Sequence, residues 1–374
     1  MKIGLVLDSS LDNNDGIQQY VIDIGEWLRS QDHDVHYLVG QSKRKDLKNI
    51  HSLSRNIKVK FNGNITTMPL PSNSHKLKTL LDKHKFDVLH IQMPYSPFMS
   101  RKIIKYANDE TVIIGTFHIV ADHNIAKIGN RILGYILKSS ISRFNNIVST
   151  STASAKFALE YYNIKSDVLP CVIDYRKYSD ARKLIKYDDD IINILFLGRL
   201  VPRKGCKTLI EAIAIISKSS NIPNFRVIIC GKGPLEQKIR HLIKNYKLED
   251  IVIMEGFVNE DIKPDYYATA DISVFPSTGG ESFGIVLLEA MASGNSIVLA
   301  GDNSGYRSVM NPYPELLFKP HDSKQLADLI LKYIFNISGN KEIKIWEKQY
   351  SKNFDVNIVG NKLLGMFKSL KKES

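Results

Sequence analysis

Residues 192–218 read INILFLGRLVPRKGCKTLIEAIAIISK and carry the clearest fold signal in the chain. An apolar run of Ile, Leu and Phe ends at Gly198, and a basic loop follows as far as Gly205. Apolar residues then recur at helical spacing. Short continuous apolar runs are typical of strands that are buried on both faces of a parallel sheet. The stretch therefore predicts one strand, one loop and one helix.

The same alternation of strand and helix continues on both sides of this unit. Downstream, the pattern predicts strands at 227–230, 251–255, 272–275 and 296–299, and helices at about 205–218, 234–244 and 283–293. Upstream, it predicts strands at 2–7, 35–39, 88–91, 112–116 and 147–149, and a helix at 16–30. Residues 175–190 are charged, rich in tyrosine and poorly periodic, and are interpreted as a linker. Two such runs predict an α/β protein with two doubly wound, Rossmann-like domains.

The predicted domains span residues 1–172 and 173–350. Residues 351–374 are expected to form a C-terminal helix that packs back on the first domain. Ligands of doubly wound sheets bind at the carboxyl ends of the strands. We therefore expect the active site in a cleft that both domains line.

Composition excludes several classes of protein. The chain has 374 residues, of which 43% are hydrophobic and 24% charged, so wholesale disorder is excluded. No apolar run approaches the roughly 20 residues of a membrane-spanning helix, and no secretion signal is expected at the N-terminus. Three widely spaced cysteines argue against a disulfide framework or a cysteine metal site. A reducing cytosol is the expected compartment.

The positive charge is concentrated in one segment. The whole chain has a net charge of +12, while residues 41–105 carry 14 Lys or Arg against three acids, a net of +11. Such a segment attracts an anionic surface. Within it, residues 76–85 place leucines and lysines at helical spacing. Two interpretations stay open, a membrane-surface helix and an ordinary surface helix whose leucines face the core.

The most specific string is GGESFGIVLLEAMASG at residues 279–294. Glu281 stands in a glycine-rich loop, and Glu289 follows eight residues later. Eight residues are a little over two helical turns, so Glu281 and Glu289 are predicted to share a helix face roughly 12 Å apart. That is wider than the carboxylate pair of a glycosidase, which needs about 5–10 Å. The two glutamates are better placed to hold two ends of one extended ligand.

Polar residues follow several predicted strands. Arg199 and Lys204 in the basic loop suit a diphosphate. Gly16 lets the backbone approach a phosphate near the first helix. His118 ends a strand of the first domain, where it can donate a hydrogen bond or transfer a proton. Gly231 lies in a strand–helix loop of the second domain where a nucleotide base would fit.

Phe257 and Val258 follow another strand of that domain and could contact the base. Each residue named in this and the preceding paragraph also has a purely structural interpretation, such as a tight turn or a core side chain.

Together these strings resemble the family-4 retaining glycosyltransferases of GT-B fold, most closely the phosphatidylinositol mannosyltransferase branch. The resemblance implies that Glu281 and the following Phe283, Gly284 and Ile285 contact the donor sugar, and that Glu289 holds the ribose hydroxyls. It also implies that Arg199 and Lys204 bind the diphosphate and that Gly16 lies against it. His118 would line the reaction centre, where it contacts the donor sugar or the acceptor. Asn13 and Gln18 would lie in the acceptor pocket of the first domain.

The chain departs from the family pattern at two places. The frequent Pro-Asn-Gly-Val-Asp at the interdomain crossing is PCVID at residues 170–174, and Gly-His-Glu-Val is DHDV at residues 32–35. Neither departure removes a group with an implied role.

The expected reaction is hexosyl transfer, with mannose from GDP-mannose favoured, to a lipid such as phosphatidylinositol. The protein would lie in the cytoplasm, bound peripherally to the inner face of the membrane through residues 41–105. The first alternative is a UDP-sugar-dependent enzyme that acts on diacylglycerol or a surface-polysaccharide precursor. More distant alternatives are a nucleotide-sugar epimerase and a non-catalytic relative. Nucleic-acid binding is not expected, nor is a tightly bound metal or other cofactor.

Overall fold

The computed structural model describes residues 1–12, 15–61, 64–120, 124–337 and 339–373. The chain divides into two compact units. The first unit comprises Met1–Ile173 together with Val356–Ser374, and the second comprises Asp174–Asp355. The chain therefore leaves the first unit after Ile173 and returns to it at Val356.

The first unit is built on a parallel sheet. Its strands, with a separate hairpin, are β1 (Lys2–Leu7), β2 (Asp34–Val39), β3 (Ile50–Ser52), β4 (Asn56–Phe61), β5 (Asn64–Pro69), β6 (Val88–Ile91), β7 (Val112–Phe117), β8 (Asn146–Ser149) and β9 (Asp167–Val168). In the described part of the chain, the sheet has the order β3-β2-β1-β6-β7-β8-β9, and β4 pairs with β5 as an antiparallel hairpin. Strands β1, β6 and β7 are apolar and buried, as the sequence pattern predicts.

Helices of the first unit connect these strands. They are α1 (Gly16–Ser30), α2 (Ser74–His84), α3 (Met99–Tyr106), α4 (Asn124–Ile141) and α5 (Thr152–Tyr162). The bounds of α1 agree with the predicted helix, because its buried residues recur at helical spacing.

The positions of the leucines in α2 decide between the two interpretations of residues 76–85. Leu77 and Leu81 are buried in a cluster with Leu38 and Ile103, and Leu80 packs against that cluster. These leucines face the core and not a lipid surface. The lysines of the helix remain exposed.

The second unit repeats the architecture. Its elements are α6 (Tyr175–Ser179), β10 (Ile192–Leu197), α7 (Cys206–Ile216), β11 (Phe225–Cys230), α8 (Glu236–Asn245), β12 (Val252–Gly256), α9 (Lys263–Thr269), β13 (Ile272–Phe275), α10 (Ile285–Ser293), β14 (Ile297–Gly301), α11 (Ser304–Met310), β15 (Leu317–Phe318), α12 (Ser323–Ile334) and α13 (Lys341–Ser351). Within the described residues, its parallel strands follow the order β12-β11-β10-β13-β14-β15. The prediction of two doubly wound α/β domains is confirmed.

The linker interpretation of residues 175–190 is wrong. This segment contains α6 and a 3₁₀ turn at Ile185–Tyr187, and it belongs to the second unit. Tyr178 and Tyr187 are buried there. Both pack in the core and donate hydrogen bonds, Tyr178 to Glu289 and Tyr187 to Glu255, which a search for apolar periodicity does not detect.

A last helix, α14 (Val356–Glu373), belongs to the first unit. It packs against α1, where the Trp27 Nε1–H donates to Asn357 Oδ1 at 3.0 Å. A Cβ on Gly360 would lie 2.7 Å from the Trp27 ring, so glycine permits the close approach of the two helices. Among the described helices, including α14, we find none with the length and apolar content needed to cross a membrane.

In each parallel sheet, successive strands are added first towards one edge and then towards the other, so the strand order reverses once. In the first sheet β1 lies between β2 and β6, and in the second β10 lies between β11 and β13. Loops that leave two such strands diverge to opposite faces and open a crevice for ligands. The crevice of the second sheet lies between the loop that follows β10 and the loop that follows β13, and it holds a cluster of polar side chains.

Candidate functional site

Glu281 is the centre of this polar cluster. Its Oε1 accepts from Arg203 Nη1 at 2.7 Å, Lys204 Nζ at 2.7 Å and Ser277 Oγ at 2.8 Å. Burial alone would raise the pKa of the Glu281 carboxyl, but Lys204 and Arg203 outweigh burial and bring that pKa to about 2. The carboxylate therefore stays ionised at physiological pH, and two cations are fixed beside it.

Glycine at position 205 lets the two loops approach each other. Gly205 has φ +70°, and a Cβ there would lie 1.8 Å from the Pro276 carbonyl oxygen. The loops are also joined directly, since the Thr278 N–H donates to the Arg203 carbonyl at 2.8 Å. This contact holds the 3₁₀ turn at Pro202–Lys204 against the loop that carries Glu281.

Glu289 forms a second, buried cluster. Its Oε1 accepts from the Tyr178 hydroxyl at 2.8 Å and from Lys263 Nζ at 2.8 Å, and its Oε2 accepts from the Tyr267 hydroxyl at 2.9 Å. Burial disfavours the charged lysine, yet Glu289 and Glu260 hold the pKa of the Lys263 ammonium above its ordinary value. These contacts use three of the roughly four lone-pair positions of a carboxylate. A ribose hydroxyl could occupy the remaining one.

The two glutamates do not share a helix face. Helix α10 begins at Ile285, so Glu289 is helical while Glu281 lies in the preceding loop. The reason is Gly284, whose φ of +136° is incompatible with a helix and fixes its start. The predicted helix at 283–293 is therefore two residues too long at its beginning, and the helical spacing argument for this pair is wrong.

The residues after Glu281 divide between core and site. The Phe283 side chain is buried against Phe354, with ring centroids 5.7 Å apart, so its ring is part of the core. Phe283 therefore presents only its backbone at the start of α10, whereas the Ile285 side chain is half-buried. Amide groups at a helix N-terminus suit anionic or hydroxyl-rich ligands.

Two other loops meet the basic loop near Arg199. Arg199 is half-buried directly after Gly198, at the end of β10. Gly231 has φ +150°, and a Cβ there would lie 1.9 Å from the Gly198 carbonyl oxygen. Its N–H donates to the Gly256 carbonyl at 2.6 Å. Phe257 follows and is 54% exposed, whereas Val258 is half-buried. The structure thus joins the loops of Arg199, Gly231 and Phe257.

His118 is buried in the first unit. Its Nε2 lies 3.0 Å from Gln92 Oε1, and its ring meets the Tyr20 ring edge-on at 5.2 Å. Burial, with a contribution from His90, lowers the pKa of His118 to about 3. The imidazole is therefore neutral near pH 7. In this state it can hydrogen-bond to a substrate, whereas proton transfer near neutral pH is not favoured.

The other predicted residues of the first unit that the structure describes lie in α1, which follows β1 at the switch point of the sheet. Gly16 is the first residue of α1. Gln18 is buried, and its Nε2 donates to the Ser10 carbonyl at 3.2 Å. Asn13 lies outside the described residues.

Sequence reasoning missed four residues of the site. They are Arg203, which pairs with Glu281, and Tyr178, Lys263 and Tyr267, which bond Glu289. The position of Arg203 beside Lys204 in one basic loop was the available signal. The other three lie in α6 and α9, and no motif marks them.

Two protein families match successive parts of the chain. Residues 14–177 match Glycosyltransferase Family 4, and residues 179–348 match Glycosyl transferases group 1. The chain is 29% identical to the phosphatidyl-myo-inositol mannosyltransferase of Mycolicibacterium smegmatis, over 83% of this chain and 78% of that protein. The protein of the same name from Propionibacterium freudenreichii is 27% identical, over 98% of this chain and 94% of that protein.

Solved structures share the fold over almost the full length. A glycosyltransferase from Rickettsia africae has a TM-score of 0.75 at 21% identity, covering 100% of this chain and 99% of its own. Anabaena HepE, in complex with UDP and glucose, has a TM-score of 0.75 at 18% identity, covering 99% of this chain and 100% of its own. With both parts matched and the fold shared along its length, the chain belongs to the family-4 glycosyltransferases of GT-B fold.

Proposed function

We propose that this glycosyltransferase moves a mannosyl unit, with retention of anomeric configuration, from GDP-mannose to a phosphatidylinositol-type lipid at the cytoplasmic face of the membrane. The observation that carries the donor side is the Glu281 carboxylate, held ionised by Lys204 and Arg203 at the switch point of the second sheet. Relatives named phosphatidyl-myo-inositol mannosyltransferase support the choice of sugar and acceptor.

Lys204 and Arg203 would stabilise the charge that develops on the departing diphosphate, together with Arg199. Each cation has several N–H donors, so a bond to Glu281 leaves donors for phosphate oxygens. Because Glu281 fixes both cations before the donor arrives, little reorganisation is needed during the reaction. Glu281 itself would accept a hydroxyl of the donor sugar, and Glu289 a hydroxyl of the ribose. Gly16 and Gly231 would allow close backbone approach to the nucleotide, and Phe257 and Val258 would contact its base.

In the first unit, neutral His118 would hydrogen-bond to the transferred sugar or the acceptor. Gln18 and Asn13 would line the acceptor pocket. Because no carboxylate is assigned as a covalent nucleophile, the acceptor hydroxyl would bond to the anomeric carbon on the same face from which the diphosphate departs. The bond from that carbon to the diphosphate breaks, and the departing phosphate would accept the proton of the hydroxyl.

The donor assignment is tested by calorimetric titration with GDP, UDP and ADP. We expect GDP to bind at least about 10-fold more tightly than the other two. Lys204→Ala should weaken GDP binding by about 10- to 100-fold, because a charge-assisted hydrogen bond contributes about 1.5–3 kcal/mol. Lys207→Ala is the matched control, since Lys207 is exposed and pairs with Glu211 at 2.8 Å. Tighter binding of UDP would favour the UDP-sugar alternative, and binding of no nucleotide would contradict the proposed function.

The lipid acceptor is supported by the charge of residues 41–105 and by helix α4. Ile132, Tyr135 and Ile136 of α4 are 59%, 83% and 48% exposed. Arg131 and Lys138 flank them, and the sequence of α4 contains no acidic residue. An exposed apolar stripe with basic neighbours complements an anionic lipid surface.

Vesicle flotation tests this acceptor surface. We expect the protein to float with anionic vesicles and not with neutral ones. Replacing Ile132, Tyr135 and Ile136 together by serine should reduce flotation at least about 10-fold, because each apolar side chain that enters the lipid interface adds about 1 kcal/mol or more. Ile358→Ser on α14, also exposed in the first unit, is the control. Absence of flotation with either vesicle would favour a soluble polysaccharide precursor as acceptor.

A further inference from the structure

Three histidines of the first unit meet in one place outside the proposed transfer site. His36 lies on β2, His51 on β3, and His84 is the last residue of α2. Each offers a ring nitrogen, and the three nitrogens lie within 4.8 Å of one another. The residues are 15 and 33 positions apart along the chain, so no short motif marks them.

The rings are already close to the arrangement that a metal ion needs. His36 Nδ1 lies 2.8 Å from His51 Nε2, and these two rings stack with centroids 5.1 Å apart. The His84 ring stands edge-on to both, at centroid distances of 4.5 and 5.1 Å. Zinc–nitrogen bonds of about 2.0–2.1 Å in a tetrahedron place ligand nitrogens about 3.3–3.4 Å apart. Shifts of about 0.5–1.5 Å in side-chain position therefore produce a three-histidine site.

A carboxylate orients one of these ligands. Asp34 Oδ1 lies 3.1 Å from His36 Nε2, which favours the proton on that nitrogen and leaves Nδ1 unprotonated on the side of His51. A carboxylate behind a ligating histidine is a common partner at metal sites.

Some charges around the histidine cluster oppose the binding of a cation and others favour it. Lys2, Arg29, Lys76 and Lys83 lie near enough to disfavour a cation. The carboxyl end of α2 and the Asp34 carboxylate favour one. Lys2 is itself 3.8 Å from Asp34 Oδ2, and Lys76 Nζ donates to the Ser52 carbonyl at 2.9 Å. Under this balance a hard ion such as Mg²⁺ finds few oxygen ligands, whereas imidazoles suit Zn²⁺ and its neighbours in the transition series.

We infer that His36, His51 and His84 bind one divalent transition-metal ion, Zn²⁺ in the first instance, with water completing the coordination. The ion would fasten the end of α2 to strands β2 and β3. Its role is structural and does not depend on the proposed transfer reaction. Binding to the folded chain alone stabilises the fold by mass action.

Zinc titration and cobalt spectroscopy test this site on the full chain, after removal of any affinity tag and dialysis against a chelator. We expect one Zn²⁺ per chain, a rise in unfolding temperature, and visible bands of four-coordinate Co²⁺. His51→Gln and His84→Gln should each weaken Zn²⁺ binding at least about 100-fold and abolish the bands. Asp34→Asn should weaken binding about 10-fold through the orientation of His36.

His75→Gln is the matched control, because His75 is exposed on the same helix, α2. It should bind Zn²⁺ like the parent protein. Circular dichroism without metal shows whether a variant has lost only a metal ligand or has also lost its fold. The His84→Gln variant is expected to fold, because the change is conservative and the position is half-buried. Equal Zn²⁺ affinity in the parent and in both ligand variants, or absence of four-coordinate Co²⁺ bands from the parent, would overturn the inference.

Discussion

Glu281→Gln is expected to reduce kcat for sugar transfer by about 10²- to 10³-fold. The variant keeps the size of the side chain but removes the charge that pairs with Arg203 and Lys204. Both cations would then lose their common partner in a poorly solvated site and reorient. Loss of one preorganised group of this kind typically costs about 2.7–4 kcal/mol in the transition state. The measurement is steady-state transfer from the donor that the titrations identify.

Nucleotide binding separates this role from a general loss of structure. GDP affinity in Glu281→Gln should stay within about 10-fold of the parent, because the cations that bind phosphate are retained. Glu211→Gln is the control, since Glu211 is a carboxylate of the same unit that pairs with Lys207 on α7. Turnover of Glu281→Gln within threefold of the parent would remove Glu281 from the mechanism.

Glu347→Gln is expected to stabilise the second unit at alkaline pH by about 4 kcal/mol. Glu347 lies on α13 and is fully buried, with Oε1 accepting from the Val298 N–H at 3.0 Å. Burial raises the pKa of this carboxyl to about 8 from an ordinary value of 4.5, although Val298 and Lys344 oppose the shift. The native state thus binds a proton that the unfolded state releases above about pH 4.5. Each pKa unit of difference corresponds to about 1.4 kcal/mol.

The sign of this effect fixes the pH profile. A group with a raised native pKa contributes its full stability below pH 4.5 and loses it progressively as the pH rises to about 8. Urea unfolding of the parent and the variant should therefore agree near pH 4.5 and diverge towards pH 8. Glu342→Gln, exposed at the start of the same helix, should shift stability by less than about 1 kcal/mol at every pH. A constant difference for Glu347→Gln across that range would show that this carboxyl does not titrate on unfolding.

The parallel sheets could be predicted because each buried strand is a continuous apolar run. Strands β1, β6 and β13 have the predicted bounds. The hairpin of β4 and β5 was missed, since β4 alternates polar and apolar residues within a strongly basic segment and β5 shows no regular alternation. Tyr178 was assigned to a linker because one buried tyrosine in a charged segment gives no periodic signal.

The candidate site was only partly predictable, because its contacts join distant residues. Arg203 and Glu281 are 78 positions apart, and no local pattern pairs them. The position of Glu281 outside α10 follows from the φ of +136° at Gly284, which the sequence does not display. The neutral state of His118 depends on burial by the whole unit. Long-range pairings and desolvation are consequences of tertiary packing, so sequence spacing alone could not supply them.

The return of α14 to the first unit affects how the protein is made on the ribosome. Synthesis proceeds from the N-terminus, and domains tend to fold as they emerge. The second unit, Asp174–Asp355, is one continuous stretch and is complete when its last residue leaves the ribosome. The first unit lacks α14 until residues 356–373 appear, and until then the Trp27 side of α1 has no cover from that helix. The unit that is synthesised first is therefore the last to be completed, and a nascent chain stopped near residue 355 would expose Trp27 to chaperones.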